Sequence, residues 1–261
     1  MKHWPVTILL FWLIVAVAAP WLGFQPDAID LDRILAVPSF QSWLGNDDLG
    51  RDIFARLIAG AEVSLTVAML VTAATMTFGT ALGLVAGYYG GWVDRVLMHV
   101  TDVFLAFPGI LLAIAFAAVL GPGLNNLILA LCLTSWVGYA RLTRAQALSL
   151  RGRQHVLAAQ VLGATTPRIL FRHMLPLLMA PLLVEATFSI ASLIVAEASL
   201  SFLGLGIQPP HASWGSMLRD GVRYLLVAPH YVLAAGLSLM SLVLAVNVLG
   251  DTLRDTLDVK R

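Results

Sequence analysis

The chain has 261 residues, of which 59% are hydrophobic and 12% charged, and its 16 Lys and Arg against 15 Asp and Glu leave a net charge of +1. An ordinary soluble domain carries about 25% charged residues, so a water-soluble globule is excluded; membrane lipid is an expected partner and nucleic acid is not. Apolar and polar residues do not alternate over about 10 positions as in a membrane barrel, which leaves helices, because a backbone in lipid must satisfy its hydrogen bonds within its own segment.

A hydrocarbon core of about 30 Å asks for roughly 20 apolar residues at 1.5 Å each. Six stretches meet this: 5–22, 61–86, 96–120, 124–143, 177–200 and 229–249. The expected protein is all-α and polytopic, a single transmembrane domain over 1–261 with six transmembrane helices. Residues 1–23 form the first span, 24–60 an extracytoplasmic segment, and 61–261 a five-helix core. Lys2, the apolar run and Val17-Ala18-Ala19 also fit a secretory signal; the length of the run and Pro20 speak for a span, and both readings stand. Asp47 and Asp48 precede an amphipathic stretch at 53–59, where they can cap a helix start and complement its dipole. Asp102, two turns after Arg95 and three residues after His99, suggests an intrahelical charge network. Cys132, the only cysteine, excludes an internal disulfide and reads as an apolar packing residue.

Residues 141–176 then turn basic. They hold Arg141, Arg144, Arg151, Arg153, Arg168 and Arg172, and no Asp or Glu occurs between Asp102 and Glu185. The positive-inside rule places this segment and both termini in the cytoplasm, and Asp27, Asp30, Asp32, Asp47, Asp48 and Asp52 on the other side. Val156, Ala159, Leu162 and Gly163 recur at helical spacing, predicting a small apolar face, while Arg153, Gln154 and Gln160 lean elsewhere. Gly163 can end this helix, Thr166-Pro167 starts a second, and Leu175-Pro176 enters the next span. Such a helix either offers a socket to a partner outside the membrane or lies flat at the interface. In the fifth span Glu185 and Glu197 are expected on nearby faces, lining a path. The loop 202–228 is rich in Gly and Pro, with Trp214 and Tyr224 suited to an interface. The six histidines, His3, His99, His155, His173, His211 and His230, show no metal-ligand spacing, so no metal site is expected.

Ala158-Ala159, Gly163 and His173-Met174-Leu175-Pro176 resemble the EAA motif of ABC-importer membrane subunits, with Leu157 where the family has Glu and His173 where it has Ile. The stretches 44–52 and 197–206, with Gln208-Pro209-Pro210 and Ser213-Trp214-Gly215, narrow the resemblance to the second permease subunit of dipeptide, oligopeptide and nickel importers. It implies a type I importer permease fold in a bacterial inner membrane. It also implies a heterodimer with a homologous second permease, two cytoplasmic ATP-binding subunits using ATP and Mg, and an extracytoplasmic solute-binding protein. Arg153, Gln154, Ala158, Ala159, Gly163, His173, Leu175 and Pro176, in the segment 151–176, would couple to the ATPase. Glu185 and Glu197 would line the translocation path, and Asp47, Asp48 and Trp214 would face the binding protein.

The chain itself is not expected to bind a cofactor or to be an enzyme. A phosphate loop needs a lysine among glycines, and the only lysines are Lys2 and Lys260, at opposite ends. Peptides are the first expectation for solute, with nickel or a metal chelate as the alternative. A secondary transporter would need paired halves with broken helices, and a membrane enzyme converging catalytic groups; neither pattern emerges.

Overall fold

The first apolar run forms helix α1, Trp4–Ala18, in the computed structural model, which describes residues 3–258. Lys2 and Lys260 lie outside the described residues. Trp12 turns into the protein: its Nε1 donates to Ser241 Oγ at 2.9 Å, and its ring meets that of Trp214 edge to face at 4.9 Å.

Helix α2, Ile53–Tyr89, has 37 residues and no proline, a length of about 55 Å. It begins well before the predicted span at 61. Asp52, rather than Asp47 or Asp48, caps it, Oδ1 accepting from the backbone N of Phe54 at 2.8 Å and of Ala55 at 3.4 Å. The end of the segment expected to be extracytoplasmic is therefore the first two turns of a spanning helix.

The predicted span 96–120 is broken. Helices α3, Gly91–Leu105, and α4, Gly109–Leu120, are bent by 85°. Pro108 sits at the break, where it lacks an N–H and disfavours a helical conformation in the preceding residue. The network expected among Arg95, His99 and Asp102 is replaced by a pairing between helices. Arg95 and Asp102 are about 10 Å apart along the axis. Asp94 instead takes a bidentate pair from Arg144 of α5, Leu124–Leu150, with Nε and Nη2 at 2.7 and 2.6 Å.

After α5 come α6, Gln154–Val161, and α7, Thr166–Arg168. A π-helical turn over Ile169–Met174 then runs into α8, Leu175–Phe202. The loop predicted after α8 contains a helix, α9, Trp214–Val222, and α10, Pro229–Asp258, ends the fold. Among the described residues four helices are long and apolar enough to cross a membrane, Trp4–Trp21, α2, Thr166–Phe202 and Pro229–Leu257; α3 and α4 qualify together as a broken span. Helix α5, at 27 residues, covers the remaining predicted segment, 124–143, and has the length of a span, but it is more polar and is not among them. Among the described residues there is no β-strand beyond an isolated bridge between Asn46 and Asp52.

The crossing of α2 with α5 organises the bundle. Gly79, Gly83 and Gly87 lie one turn apart on α2, the small-xxx-small spacing that lets membrane helices approach backbone to backbone. A Cβ on Gly79 would strike the carbonyl of Trp136, and one on Gly83 the carbonyl of Ala140. On Gly87 it would lie 2.6 Å from the Ala147 Cβ. Toward one end of the bundle, Trp12, Leu65, Leu131, Ile194, Trp214 and Tyr231 pack into one core; toward the other, Leu84, Tyr139, Val156, Ile169 and Met174 form a second.

Candidate translocation path and coupling elbow

One face of α8 carries Pro181, Glu185, Phe188, Ser192, Ala196 and Ser199 at intervals of three and four, so these side chains form a stripe about 27 Å long, close to the thickness of a bilayer core. Two hollows open along it. The first, 580 Å³, lies between α4, α5, α8 and α10, with Thr134, Ser135, Ser189 and Asn247 among its polar groups. The second, 510 Å³, continues past Pro181 toward Gln146 and Arg254. Glu185 and Phe188 belong to both and mark where they meet.

Glu185 is half-buried and joins none of the ion pairs formed among the described residues. Gly138 of α5 leaves it room, since a Cβ there would lie 3.3 Å from Glu185 Oε1. An acid in mid-bilayer costs about 2.5–3.5 kcal/mol on insertion scales unless it faces protein partners or water. Facing a hollow resolves that cost for Glu185.

Glu197 departs from the expected path. Twelve residues at 3.6 per turn leave it about 120° away from Glu185, and it points into the protein with no exposed surface. Ser64 Oγ of α2 donates to its Oε2 at 2.7 Å and Ser201 Oγ to its Oε1 at 2.8 Å. Glu197 is a buried tie between α2 and α8, not part of the stripe.

The 154–163 segment forms the predicted short helix, but its inner and outer faces differ from the expected arrangement. Val156 and Ala159 are buried against the second core, beside Ile169 and Met174. The outward face consists of Gln154, Leu157, Ala158, Val161 and Leu162, the last two 87% and 86% exposed. The sequence shows one apolar stripe, and the helix turns half of it inward to seat itself on the π-helical turn that leads into α8. Gly163 takes φ +76°, and the N–H groups of Gly163 and Ala164 reach the carbonyls of Gln160 and Ala159, each at 3.0 Å. This is the glycine-terminated Schellman end. Arg153 precedes the first turn and, with His155, Arg172, His173, Pro176 and Leu177, lines a shallow basic hollow of 420 Å³. Leu175 begins α8 just beyond the π-helical turn. Gln160 Nε2 donates to Tyr88 Oη at the end of α2, 3.2 Å away.

The residues expected to face a binding protein are mostly interior. Asp47 has no exposed surface: Oδ1 accepts from the backbone N of Leu49 and Arg51, each at 2.9 Å, and Oδ2 takes Arg51 Nε at 2.7 Å and lies 3.4 Å from Arg56 Nε. Arg56, itself buried, reaches the carbonyls of Pro26 at 3.2 Å and Pro210 at 3.4 Å. Trp214 is also wholly buried, under Gly60, with Nε1 donating to the Leu57 carbonyl at 3.0 Å. These carboxylate, guanidinium and indole groups fasten the outer segments together, so neither Asp47 nor Trp214 is presented to a partner. Only Asp48 retains an exposed edge.

Burial, and the neighbouring Asp47 carboxylate after it, raise the Asp48 carboxyl above the usual aspartate range. A raised folded-state value favours folding below the unfolded aspartate pKa and is lost as pH rises through the folded one. Asp48→Asn is therefore expected to raise the thermal midpoint at neutral pH and leave it unchanged in acid, measured as unfolding against pH.

Spans that wall a polar stripe, joined to a short helix displayed outside them, define a membrane subunit of a transport system. Residues 79–260 match the family described as binding-protein-dependent transport system inner membrane component, and the chain belongs to that family as a permease subunit of an ABC importer. It is 42% identical over 254 residues to the dipeptide transport system permease protein DppC of Alkalihalophilus pseudofirmus, covering 97% of this chain and 84% of that protein. To the glutathione transport system permease protein GsiD of Pectobacterium atrosepticum it is 42% identical over 264 residues, covering 99% and 88%. Its fold is similar to a chain of the MetNI methionine ABC transporter in an inward-facing conformation, with TM-score 0.63, 19% identity, and 78% of this chain and 97% of that chain covered. The protein is thus a multi-pass component of the inner membrane.

Proposed function

We propose that the chain imports short peptides as one half of a heterodimeric permease, whose second, homologous subunit covers the open side of the α8 stripe. Two cytoplasmic ATP-binding subunits hydrolyse Mg-bound ATP and dock on the outward face of α6, and an extracytoplasmic binding protein delivers solute at the opposite side, near Asp48. Both termini and the basic 151–176 segment then lie in the cytoplasm, and residues 1–261 act as one transmembrane domain. Peptides are favoured over nickel or a chelate because dipeptide and glutathione permeases cover nearly the whole chain at 42% identity.

The observation that carries the coupling reading is the helix with no apolar neighbour on its outer side: Leu157, Val161 and Leu162 are exposed beside Ala158 while Val156 and Ala159 anchor the same helix from within. An interfacial helix would lay that face on lipid. A docked motor would cover it, and the rigid packing beneath would pass its movement to α5 and α8 as a change of domain orientation.

Ala158→Trp and Gly163→Trp separate these outcomes. Ala158 is exposed and Gly163 has no heavy atom within 4 Å of an added Cβ, so neither substitution drives bulk into the interior, although any side chain at Gly163 also strains its φ of +76°. In vesicles containing the full complex, each is expected to abolish ATP turnover stimulated by the loaded binding protein while insertion persists. Unchanged stimulation would sink the coupling assignment. Ala159→Trp, aimed into the core, is expected to damage folding instead.

A further inference from the structure

The two hollows along α8 differ in their charge. Among the described residues Glu185 is the sole ionisable group of the larger lining, whereas the smaller hollow brings Glu185 of α8 together with Arg254 of α10 and Gln146 of α5 on otherwise apolar walls. Asp251 and Asp255 do not line it. A volume of 510 Å³ falls in the range of small-molecule sites, about 300–1,000 Å³.

We propose that the smaller hollow is a station for a zwitterionic peptide, where Glu185 accepts the terminal ammonium and Arg254 donates to the terminal carboxylate. The proposal rests on the peptide-import reading and adds a specificity-determining site to it. An acid and a guanidinium on different helices oppose the two charges of a free peptide at once, and a guanidinium matches a carboxylate in a planar fork. A ligand lacking either charge leaves one wall group without its partner. Gln146 offers an amide to the peptide bond, and Leu142, Val184 and Phe188 take apolar side chains.

The test uses the assembled complex without its delivery protein, so that delivery does not choose the ligand. A Leu142→Cys reporter in a Cys132→Ser background is labelled with a methanethiosulfonate reagent in the presence of alanyl-phenylalanine, its N-acetyl form or its C-terminal amide. The free dipeptide is expected to protect the thiol, and each blocked form to need about tenfold more, the factor carried by about 1.4 kcal/mol. Glu185→Gln should erase the advantage over the N-acetyl form alone, and Arg254→Gln the advantage over the amide alone. Glu185→Asp should restore part of the first preference. Equal protection by all three ligands, protection by none, or the same order of preference in both variants would overturn the station. The import reading is judged apart from it, since a parent complex whose ATP turnover no peptide-loaded delivery protein stimulates would overturn that reading itself.

Discussion

Gly83→Leu is expected to prevent assembly of the bundle. A Cβ at this position would lie 2.7 Å from Thr143 Cβ and 2.9 Å from Arg144 N, as well as against the Ala140 carbonyl. A flexible side chain could swing aside from such a clash, but these contacts are largely helix backbone, so the whole α5 helix would have to retreat. Overpacking in a rigid site costs about 1–3 kcal/mol and more where the backbone must move, and separation at Gly83 would also loosen Gly79 and Gly87 on the same face. The expected outcome is loss of the folded subunit from purified membranes. Gly152→Ala, where an added Cβ meets nothing within 4 Å, should leave yield and thermal midpoint unchanged. Normal accumulation and unfolding of Gly83→Leu would show that the crossing does not hold the bundle together.

Asp47→Ala comes next in expected effect. It removes the anion shared by two buried guanidinium groups, Arg51 and Arg56, with side chains 6% and 2% exposed. Breaking a buried pair from one side costs about 3–5 kcal/mol, because the stranded charge stays out of water. The hydrogen bonds that Asp47 accepts from Leu49 and Arg51 backbone vanish as well. We expect the thermal midpoint of the complex to fall by about 10 °C, and residues 24–52 to become more open to proteolysis. Asp47→Asn, which keeps the shape without the charge, should recover part of the loss. A variant Asp47→Ala as stable as the parent would mean that water replaces the carboxylate in this cluster.

Hydrophobic length located four spanning helices and, in 96–120, the bent pair α3 and α4, because membrane cost is set by local composition, while residue spacing located the short helix at 154–161. It could not place the 85° break between α3 and α4, since Pro108 reports a discontinuity without its angle. The acidic outer segment looked like a displayed surface because charge usually seeks water; Arg51 and Arg56, read singly in the sequence, gave no hint that they would converge on Asp47. The face of Glu197 was misjudged by simple helical arithmetic, and three and a third turns is a third of a turn too many. The Gly79, Gly83 and Gly87 series was a missed signal, visible as three glycines at a spacing of four. The two sides of α6 were beyond reach, as a short stripe of small residues does not reveal how much of it the protein keeps for itself. Arg254 likewise gave no sequence sign of lining the same hollow as Glu185, because that depends on how α8 and α10 pack.

Helix α2 begins at the Asp52 cap beside the Arg56 clasp and ends with Tyr88 in contact with Gln160 of α6. No proline interrupts the distance between them. A helix resists compression far better than a loop, so the two faces of the membrane are joined here by a connecting rod. Under the proposed coupling, a displacement of the elbow at one end is expected to reach the Arg56 cluster at the other without crossing the proposed solute path.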